Sequence, residues 1–568
     1  MALPSELIDR IAHLLPPADR RSLAAVCTTL HAARCRWFRG AVVQASAGDN
    51  WLDELAVWLE ERQACAGCRH LLWEATQGLD PADVWRFFVE LSSIPRPSHH
   101  EQQVAAYLLA WAQERGLASR QDGAGNVLIY RNGTGGGEEA PPVVLQAHTD
   151  MVPATAPGVQ HNWSADPIPL VRDGDWIRAN GTTLGADDGI GVAAILAVLD
   201  QPADALLPPI QALFTTNEDD GFTGAQGLDP DMLAGAQWLI NLDSGEFRKV
   251  YIGSAGGGSS ELELVLPLEA GPAGGVLLEV QVSGLLGGHS GLDISKPRAN
   301  AAKLLAALAH TLLEAEPKAR LVNMTAVTAA NAIPPAGAAH LVVPAGHAEQ
   351  ANATLQARWA ELQQQYGSLE TSMALSISQR KTDKGQRVLE PDAAARLVGL
   401  VRALPNGVLK CDSTLPGQAE TSTSLDILKT TAAGTATATF ELDLLTRSSL
   451  DSVADWRAII AEIGQHYGAR VSQGETYPGW PAQPDSLLAN ITAEAYAAVT
   501  GQQPELVAVH AGLEVGYILA KLPHTVEAIA IGPTILDEHT VNERVSISSV
   551  QSFHAALLGT LGRLAELQ

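Results

Sequence analysis

Three short apolar segments of the chain each run into residues that can bind a divalent metal or move a proton. They are residues 143–147 before His148 and Asp150, residues 210–216 before Glu218 and Asp219, and residues 238–242 before Asp243. If these segments are strands of an open α/β sheet, their carboxyl ends meet at the edge where such sheets form their binding sites. Imidazole and carboxylate groups gathered at that edge predict hydrolytic metal chemistry as the first candidate.

A glycine-rich turn, residues 185–191, supplies a fourth element of the same predicted site. It contains Asp187 and Asp188 and opens an apolar, helix-like stretch. Paired aspartates directly before a helix are most often N-terminal caps, but the acid-tipped strands favour metal binding here. A fifth ligand candidate, His539, lies far along the chain. This distance is no obstacle, because metal ligands must be close in space and not in sequence.

Further blocks of sequence extend the pattern beyond these candidates. They include LQAHTDMVP at 145–153, GTTLGAD at 181–187, GGHSG at 287–291, RANA at 298–301 and HAGLE at 510–514. In this order the blocks resemble the aminoacylhistidine (Xaa-His) dipeptidases, which belong to the di-zinc exopeptidase superfamily of the aminoacylases and carboxypeptidase G. The resemblance runs from about Leu79 to the C-terminus.

The resemblance implies a role for each candidate residue. His148, Asp187 and Asp243 would hold one divalent ion, while Asp187, Asp219 and His539 would hold a second, with Asp187 bridging. The other implied roles are general base for Glu218, support of His148 for Asp150, oxyanion stabilisation for His289, and substrate binding for Asn300 and Glu514. Zinc is the expected metal, with manganese or cobalt as alternatives. Glu514 would receive the amino terminus of a short peptide, unless it forms a structural ion pair instead.

Two departures from the family pattern lie close to the predicted ligands. Asp219 stands where the family usually has glutamate. Its shorter side chain predicts that the metal ion is bound more weakly or in a shifted position. The residues after His539 read Thr-Val-Asn-Glu-Arg, where the family often has a Ser-Pro pair. Neither departure removes a catalytic group.

The implied fold is α/β, with a di-metal catalytic domain divided by an inserted α+β lid domain. The catalytic domain would comprise residues 79–256 and 475–568, and the lid residues 257–474. Residues 258–266 alternate polar and apolar side chains as a strand does, and residues 299–313 favour a helix. The resemblance also implies a homodimer formed through the lid.

The first residues of the chain predict a separate helical unit, residues 1–45, followed by a helical connector, residues 46–78. Leu7, Ile8 and Ile11 have helical spacing in a segment that resembles an F-box. An F-box would dock on the Skp-type adaptor of a cullin-type ubiquitin ligase. The alternative is a small helical cap packed on the enzyme.

Composition excludes several other classes of protein. The chain has 568 residues, of which 46% are hydrophobic and 18% charged, as in globular proteins of several domains. The formal net charge of −26 argues against nucleic-acid and anionic-membrane partners. The sequence has no apolar run long enough to span a membrane and no secretory signal pattern, and its five cysteines favour a reducing compartment. A cytoplasmic protein is therefore expected.

Three functions remain open at this point. The first is a metal-dependent dipeptidase that hydrolyses Xaa-His-type dipeptides. The second is a non-catalytic F-box subunit whose peptidase-like domain recognises ubiquitin-ligase clients. The third is another reaction of the same superfamily, such as deacylation or carboxypeptidase action, since a fold does not fix its substrate.

Overall fold

The computed structural model describes residues 74–567, apart from residues 414, 416, 435 and 451. The predicted F-box-like unit, residues 1–45, lies outside the described residues, as does most of the predicted connector. Within the described part, no helix is both long and apolar enough to cross a membrane.

From Ala82 onward, helices and strands alternate in the first part of the chain and strands predominate in the middle. The α-helices are α1 (Ala82–Ser92), α2 (Gln102–Glu114), α3 (Ala186–Leu199), α4 (Thr223–Gln226), α5 (Ala301–Ala315), α6 (Ala348–Tyr366), α7 (Pro391–Ala403), α8 (Val453–His466), α9 (Leu487–Thr500), α10 (Glu514–Lys521) and α11 (Ile547–Ala565). The strands are β1 (Ala118–Gln121), β2 (Val127–Arg131), β3 (Val143–His148), β4 (Leu170–Asp173), β5 (Trp176–Ala179), β6 (Ile210–Thr215), β7 (Trp238–Asn241), β8 (Lys249–Ser254), β9 (Gly256–Ala270), β10 (Gly275–Ser283), β11 (Gly288–His289), β12 (Arg320–Val327), β13 (Ala332–Ile333), β14 (Gly337–Pro344), β15 (Ala374–Lys381), β16 (Arg387–Leu389), β17 (Gly407–Cys411), β18 (Ala419–Ala433), β19 (Thr437–Ser448), β20 (Arg470–Tyr477), β21 (Glu505–Val509), β22 (Glu527–Ala530), β23 (Ile535–Leu536) and β24 (Arg544–Ser546).

The first large sheet has the strand order β1-β2-β6-β3-β7-β22-β8-β21. Its central strands β6, β3, β7 and β22 are parallel. Every residue of β3, β6 and β7 is buried, which explains their apolar sequences, because helices cover both faces of such sheets. Helices α1, α3 and α11 pack on one face, while α10 packs on the other.

The second large sheet is antiparallel and is built from residues 256–477. Its main path is β15-β10-β14-β12-β18-β19-β9-β16, and β17 and β20 pair with β18 and β9. Strand β9 alternates buried and exposed residues along much of its length, because helices cover one face of this sheet. The segments that connect the two sheets lie side by side: the amides of Ser254 and Trp480 each donate to the other's carbonyl, at 2.8 and 3.0 Å.

The local sequence predictions can be compared with these elements. Residues 258–266, predicted as a strand, lie within β9, and the helix predicted over 299–313 is α5, which begins two residues later. The delay has a physical cause, since Asn300 is the N-cap of α5 and its side chain accepts hydrogen bonds from the amides of Ala302 and Lys303. The predicted domain limits stay a prediction.

Candidate metal centre

The carboxyl ends of β3, β6 and β7 bring the candidate metal ligands together. His148 is the last residue of β3 and is fully buried. Glu218 and Asp219 follow β6, and Asp243 follows β7. Asp187 lies in the first turn of α3, and His539 lies in the loop between β23 and β24.

Asp187 lies between two imidazoles. Its Oδ1 is 2.9 Å from His148 Nε2, and its Oδ2 is 3.0 Å from His539 Nε2. Asp243 Oδ1 is 4.0 Å from His148 Nε2, and Asp219 Oδ1 is 2.8 Å from His539 Nε2. Ligand atoms of His148, Asp187 and Asp219 all lie within 4.8 Å of one another. Ligand atoms of a second set, His148, Glu218 and Asp243, also meet this distance. The two sets share His148, and the carboxylate of Asp187 lies between the imidazoles of His148 and His539.

The carboxylate of Asp219 shows that this cluster fits bound cations. Both of its oxygens are buried, and neither makes a hydrogen bond within the described residues. His539 Nε2 lies 2.8 Å from Oδ1 and forms an ion pair with this carboxylate only when the imidazole is protonated. A buried carboxylate without hydrogen bonds is costly, and coordination to a divalent ion satisfies it.

The electrostatics of the cluster also favour a bound cation. Burial and nearby carboxylates raise the pKa of Glu218 and of Asp243 well above the ordinary values. Burial alone would lower the pKa of His148, but its hydrogen bonds to Asp150 and Asp187 raise it well above the ordinary value. An excess of negative charge therefore favours cation binding.

Asp150 contacts both the ring of His148 and the backbone of Glu218. Its Oδ1 lies 3.3 Å from His148 Nδ1 and accepts a hydrogen bond from the Glu218 amide at 3.0 Å, while Oδ2 accepts one from Ser98 Oγ at 2.8 Å. Burial opposes ionisation of Asp150, but the hydrogen bonds and charge of His148 and the other donors lower its pKa to about 2. An ionised Asp150 holds the Nδ1 proton of His148 and leaves Nε2 to face Asp187.

The two neighbouring aspartates of the glycine-rich turn do different things. Asp188 accepts hydrogen bonds from the amides of Gly191, at 3.1 Å, and His148, at 3.2 Å, so it supports the start of α3. Asp187 is instead directed toward the imidazoles of His148 and His539. Asp188 therefore supports the start of the helix, and Asp187 has the geometry of a metal ligand.

His289, the candidate oxyanion donor, belongs to the second sheet's part of the chain. Its Nδ1 accepts hydrogen bonds from the amides of Gly291, at 3.1 Å, and Leu292, at 3.0 Å. Burial and the charge of Arg447 lower its pKa to about 4. At neutral pH the imidazole is therefore uncharged and carries its proton on Nε2, which leaves that nitrogen available as a donor.

The two predicted substrate contacts differ in their surroundings. Glu514 is buried, and its Oε2 accepts hydrogen bonds from Gln146 Nε2 at 2.6 Å and Thr215 Oγ1 at 2.8 Å. Its Oε1 is buried without a partner in the described part of the chain. Asn300 caps α5 through Oδ1 and donates through Nδ2 to Asn406 and the Leu425 carbonyl. The side chain of Asn300 thus has a structural use, and its contact with substrate stays a prediction.

Sequence reasoning missed two charged residues that lie against the Asp187 turn. Arg96 and Glu543 are both buried and bind the backbone of this turn. Arg96 has no local sequence signal. Glu543 lies in the stretch after His539 that was noted for its departure from the family pattern, but the pattern gives no partner for it.

The first sheet carries imidazoles and carboxylates beyond the carboxyl ends of its parallel central strands, and an antiparallel sheet is inserted between its strands β8 and β21. This is the geometry expected of a metal-dependent hydrolase. The family model described as peptidase family M20/M25/M40 matches residues 144–563. The chain belongs to this peptidase family. The predicted F-box-like unit lies outside the matched residues.

Individual relatives agree with this assignment. The chain is 35% identical to the cytosol non-specific dipeptidase of Escherichia coli K12 over 480 residues, which cover 84% of this chain and 97% of the relative. The crystal structure of aminoacylhistidine dipeptidase from Vibrio alginolyticus matches with a TM-score of 0.79 and 34% identity, covering 85% of this chain and 97% of that one. A tripeptidase from Staphylococcus aureus, with a TM-score of 0.52 and 16% identity over 86% of this chain and 99% of that one, shares the fold.

Proposed function

We propose that the chain is a metal-dependent dipeptidase that hydrolyses Xaa-His-type dipeptides. The carboxylate of Asp187, placed between the imidazoles of His148 and His539, is the observation that carries the proposal. Dipeptidase activity is supported by family membership and by the relatives in Escherichia coli and Vibrio alginolyticus.

These contacts support the ligand set that the family resemblance implies. His148, Asp187 and Asp243 would hold one divalent ion, and Asp187, Asp219 and His539 the other. Bound divalent ions polarise a scissile carbonyl and lower the pKa of water. We propose zinc because imidazole and carboxylate ligands suit it, and manganese or cobalt would suit the same groups.

Proton transfer and oxyanion stabilisation are assigned to side chains around the metal site. Glu218 takes a proton from the attacking water and passes it to the leaving amine. Asp150 fixes the backbone of Glu218 and the ring of His148 through one oxygen, so base and ligand keep a constant relation. The Nε2 proton of His289 is the donor for the tetrahedral oxyanion, because Nδ1 is already occupied as an acceptor.

Substrate binding is assigned to Glu514 and, less directly, to Asn300. The partnerless Oε1 of Glu514 would accept the free amino group of a short peptide, which in a closed site requires an acidic or carbonyl partner. Asn300 would act by fixing the start of α5 after the segment that carries His289. We also propose a cytoplasmic location, as in the cytosol relative, and a homodimer through the lid.

The replacement Glu218→Gln tests the reaction. The variant should keep both metal ions and lose roughly 10²–10⁴-fold in kcat, the usual contribution of acid–base catalysis. Asp220→Asn is a matched control, because Asp220 is an exposed neighbour that pairs with His99. Metal content and turnover of carnosine-like dipeptides are measured together. Unchanged turnover in Glu218→Gln would assign the base elsewhere, and metal-loaded wild-type protein without any turnover would favour the non-catalytic recognition subunit. Faster turnover of N-acyl amino acids would favour the deacylase alternative.

For residues 1–45 we propose docking on a Skp-type adaptor through the apolar side chains of Leu7 and Ile8. Full-length protein should retain the adaptor in a pull-down, and Leu7→Asp with Ile8→Asp should abolish retention without lowering dipeptidase activity. A helical cap would behave in the opposite way, with no adaptor retained and a lower melting temperature in the double variant.

A further inference from the structure

One carboxylate accepts hydrogen bonds from four consecutive backbone amides of the turn that carries Asp187. Glu543 Oε2 accepts hydrogen bonds from the amides of Leu184, at 2.8 Å, and Gly185, at 3.0 Å. Its Oε1 accepts two more, from the amides of Ala186 at 2.8 Å and Asp187 at 3.3 Å. Four consecutive amides at the start of α3 thus share a single buried acceptor group.

Arg96 binds the same turn through a carbonyl. Its guanidinium donates to the Gly185 carbonyl and, at 3.1 and 2.8 Å, to the carbonyls of Thr149 and Asp150 just beyond β3. Gly185 has φ +67°, and an added Cβ would lie 2.7 Å from Arg96 Nη2, so the guanidinium occupies the space of a side chain. The turn is therefore held between two charged side chains of opposite sign.

The position of Glu543 in the chain relates this turn to a second ligand. Strands β23 and β24 pair at Ile535 with Val545 and at Leu536 with Arg544, which closes residues 537–543 into a hairpin loop. The loop is ordered by hydrogen bonds from the amide of Thr540 to Asp537 and from that of Glu543 to Thr540. Both His539 and Glu543 belong to this loop, so the residue that binds the Asp187 turn also fixes where His539 lies.

We infer that Glu543 is a positioning residue that sets the spacing between Asp187 and His539 by joining their two loops. The inference rests on the proposed metal centre. It assigns no metal contact to Glu543. One ion would be held by Asp187, Asp219 and His539, and two of these ligands, Asp187 and His539, depend on this junction. Of the three ligands proposed for the other ion, only Asp187 depends on it. The loss of Glu543 should therefore weaken the first of these ions more.

The substitution Glu543→Gln isolates this effect with little change in shape. Its amide nitrogen would face two backbone donors that now meet an oxygen, so one half of the junction is lost. Changes to groups that support metal ligands typically lower metal affinity or activity roughly 10–100-fold. We expect a loss in this range for one Zn²⁺ and a smaller loss for the other.

A matched control is provided by Glu527, which also accepts a backbone hydrogen bond, from the Leu488 amide at 2.9 Å. It begins β22 and thus lies at the opposite edge of the sheet from the metal cluster. Glu527→Gln can keep this hydrogen bond through its side-chain oxygen, so it should at most lower the melting temperature slightly and should leave both Zn²⁺ affinities unchanged.

The experiment uses the full chain and measures binding of Zn²⁺ alone in competition with a chromophoric chelator. Melting temperature, kcat and KM at low and at saturating metal are measured in parallel. Glu543→Gln should bind one Zn²⁺ at least 10-fold more weakly than wild type, with kcat reduced at low metal, partly restored at saturating metal, and KM little changed. If Glu543→Gln does not fold, Glu543→Asp, which keeps the charge but is one methylene shorter, should show the same selective loss.

Two outcomes separate failure of this inference from failure of the proposed centre. Wild-type Zn²⁺ affinities in a folded Glu543 variant, with only the stability loss of Glu527→Gln, would overturn the positioning role. Asp187→Ala is the reference: it should lose both ions, and retention of two Zn²⁺ per chain in that variant would reject the metal centre itself.

Discussion

Two substitutions of Asp150 can separate the effect of its charge from that of its hydrogen bonds next to the proposed metal centre. In Asp150→Asn the side-chain oxygen can still accept from the Glu218 amide and from His148 Nδ1, and the new amide group can donate to Ser98 Oγ. In Asp150→Ala the Glu218 amide and His148 Nδ1 both lose this acceptor. The two variants therefore differ mainly in hydrogen bonding and share the loss of negative charge.

The expected magnitudes follow from the pKa and from the two donors. The pKa of Asp150 is about 2 against an ordinary value of 3.8, which corresponds to about 2 kcal/mol of stability in metal-free protein. Each unsatisfied buried donor costs about 1–3 kcal/mol. Above pH 4, Asp150→Asn should therefore lose about 2 kcal/mol, and Asp150→Ala about 2–6 kcal/mol more.

Urea unfolding of chelator-treated protein at pH 7 measures these losses, and Zn²⁺ competition measures the effect on the proposed ligand His148. Both variants should bind Zn²⁺ roughly 10–100-fold more weakly, because His148 loses the group that fixes its ring. Equal stability of the two variants would refute the hydrogen-bond reasoning. Wild-type Zn²⁺ affinity in both would refute the supporting role of Asp150.

Three further predictions concern the donor, the substrate and the response to acid. His289→Ala should lower kcat more than it raises KM in steady-state assays, because in the proposed mechanism the Nε2 donor acts on the transition state; a pure KM effect would contradict this. N-acetylated dipeptides should be cleaved more slowly than free ones, because acetylation removes the ammonium group proposed to pair with Glu514; equal rates would exclude amino-terminal recognition. Burial lowers the pKa of His554 to about 4. Between pH 6.5 and 4 the unfolded chain therefore binds a proton that the folded chain does not. As the pH is lowered through this range, the free energy of unfolding should decrease by up to about 3 kcal/mol. His554→Leu should flatten this part of the pH profile in urea unfolding, and an unchanged slope would show that His554 does not contribute.

The sequence predicted those parts of the site that depend on local pattern. Strands β3, β6 and β7 are buried on both faces, so their apolar runs and the polar residues that end them can be recognised without a structure. Peptidase family membership, expected from ordered blocks, is confirmed by the match over residues 144–563. The individual site roles and the domain limits stay predictions.

Contacts between distant segments could not be predicted in the same way. No pattern around Arg96 indicates that it binds the Gly185 carbonyl, and none around Glu543 indicates the amides of residues 184–187, because both are tertiary contacts. The cap at Asn300 is different. Asparagine before an apolar helical stretch is a recognised start signal, so its structural use was available from the sequence.

The strand order of the first sheet has a consequence for how the protein is made. Strand β22 lies between β7 and β8, and β21 lies on the other side of β8, yet both are synthesised only after the whole second sheet. At 5–20 residues per second, β7 and β8 wait on the order of tens of seconds on the ribosome with open edges. Since His539 follows β22, the proposed metal centre is complete only after both large sheets have been synthesised. The nascent chain therefore passes through an aggregation-prone stage in which one ligand of the proposed centre is still missing.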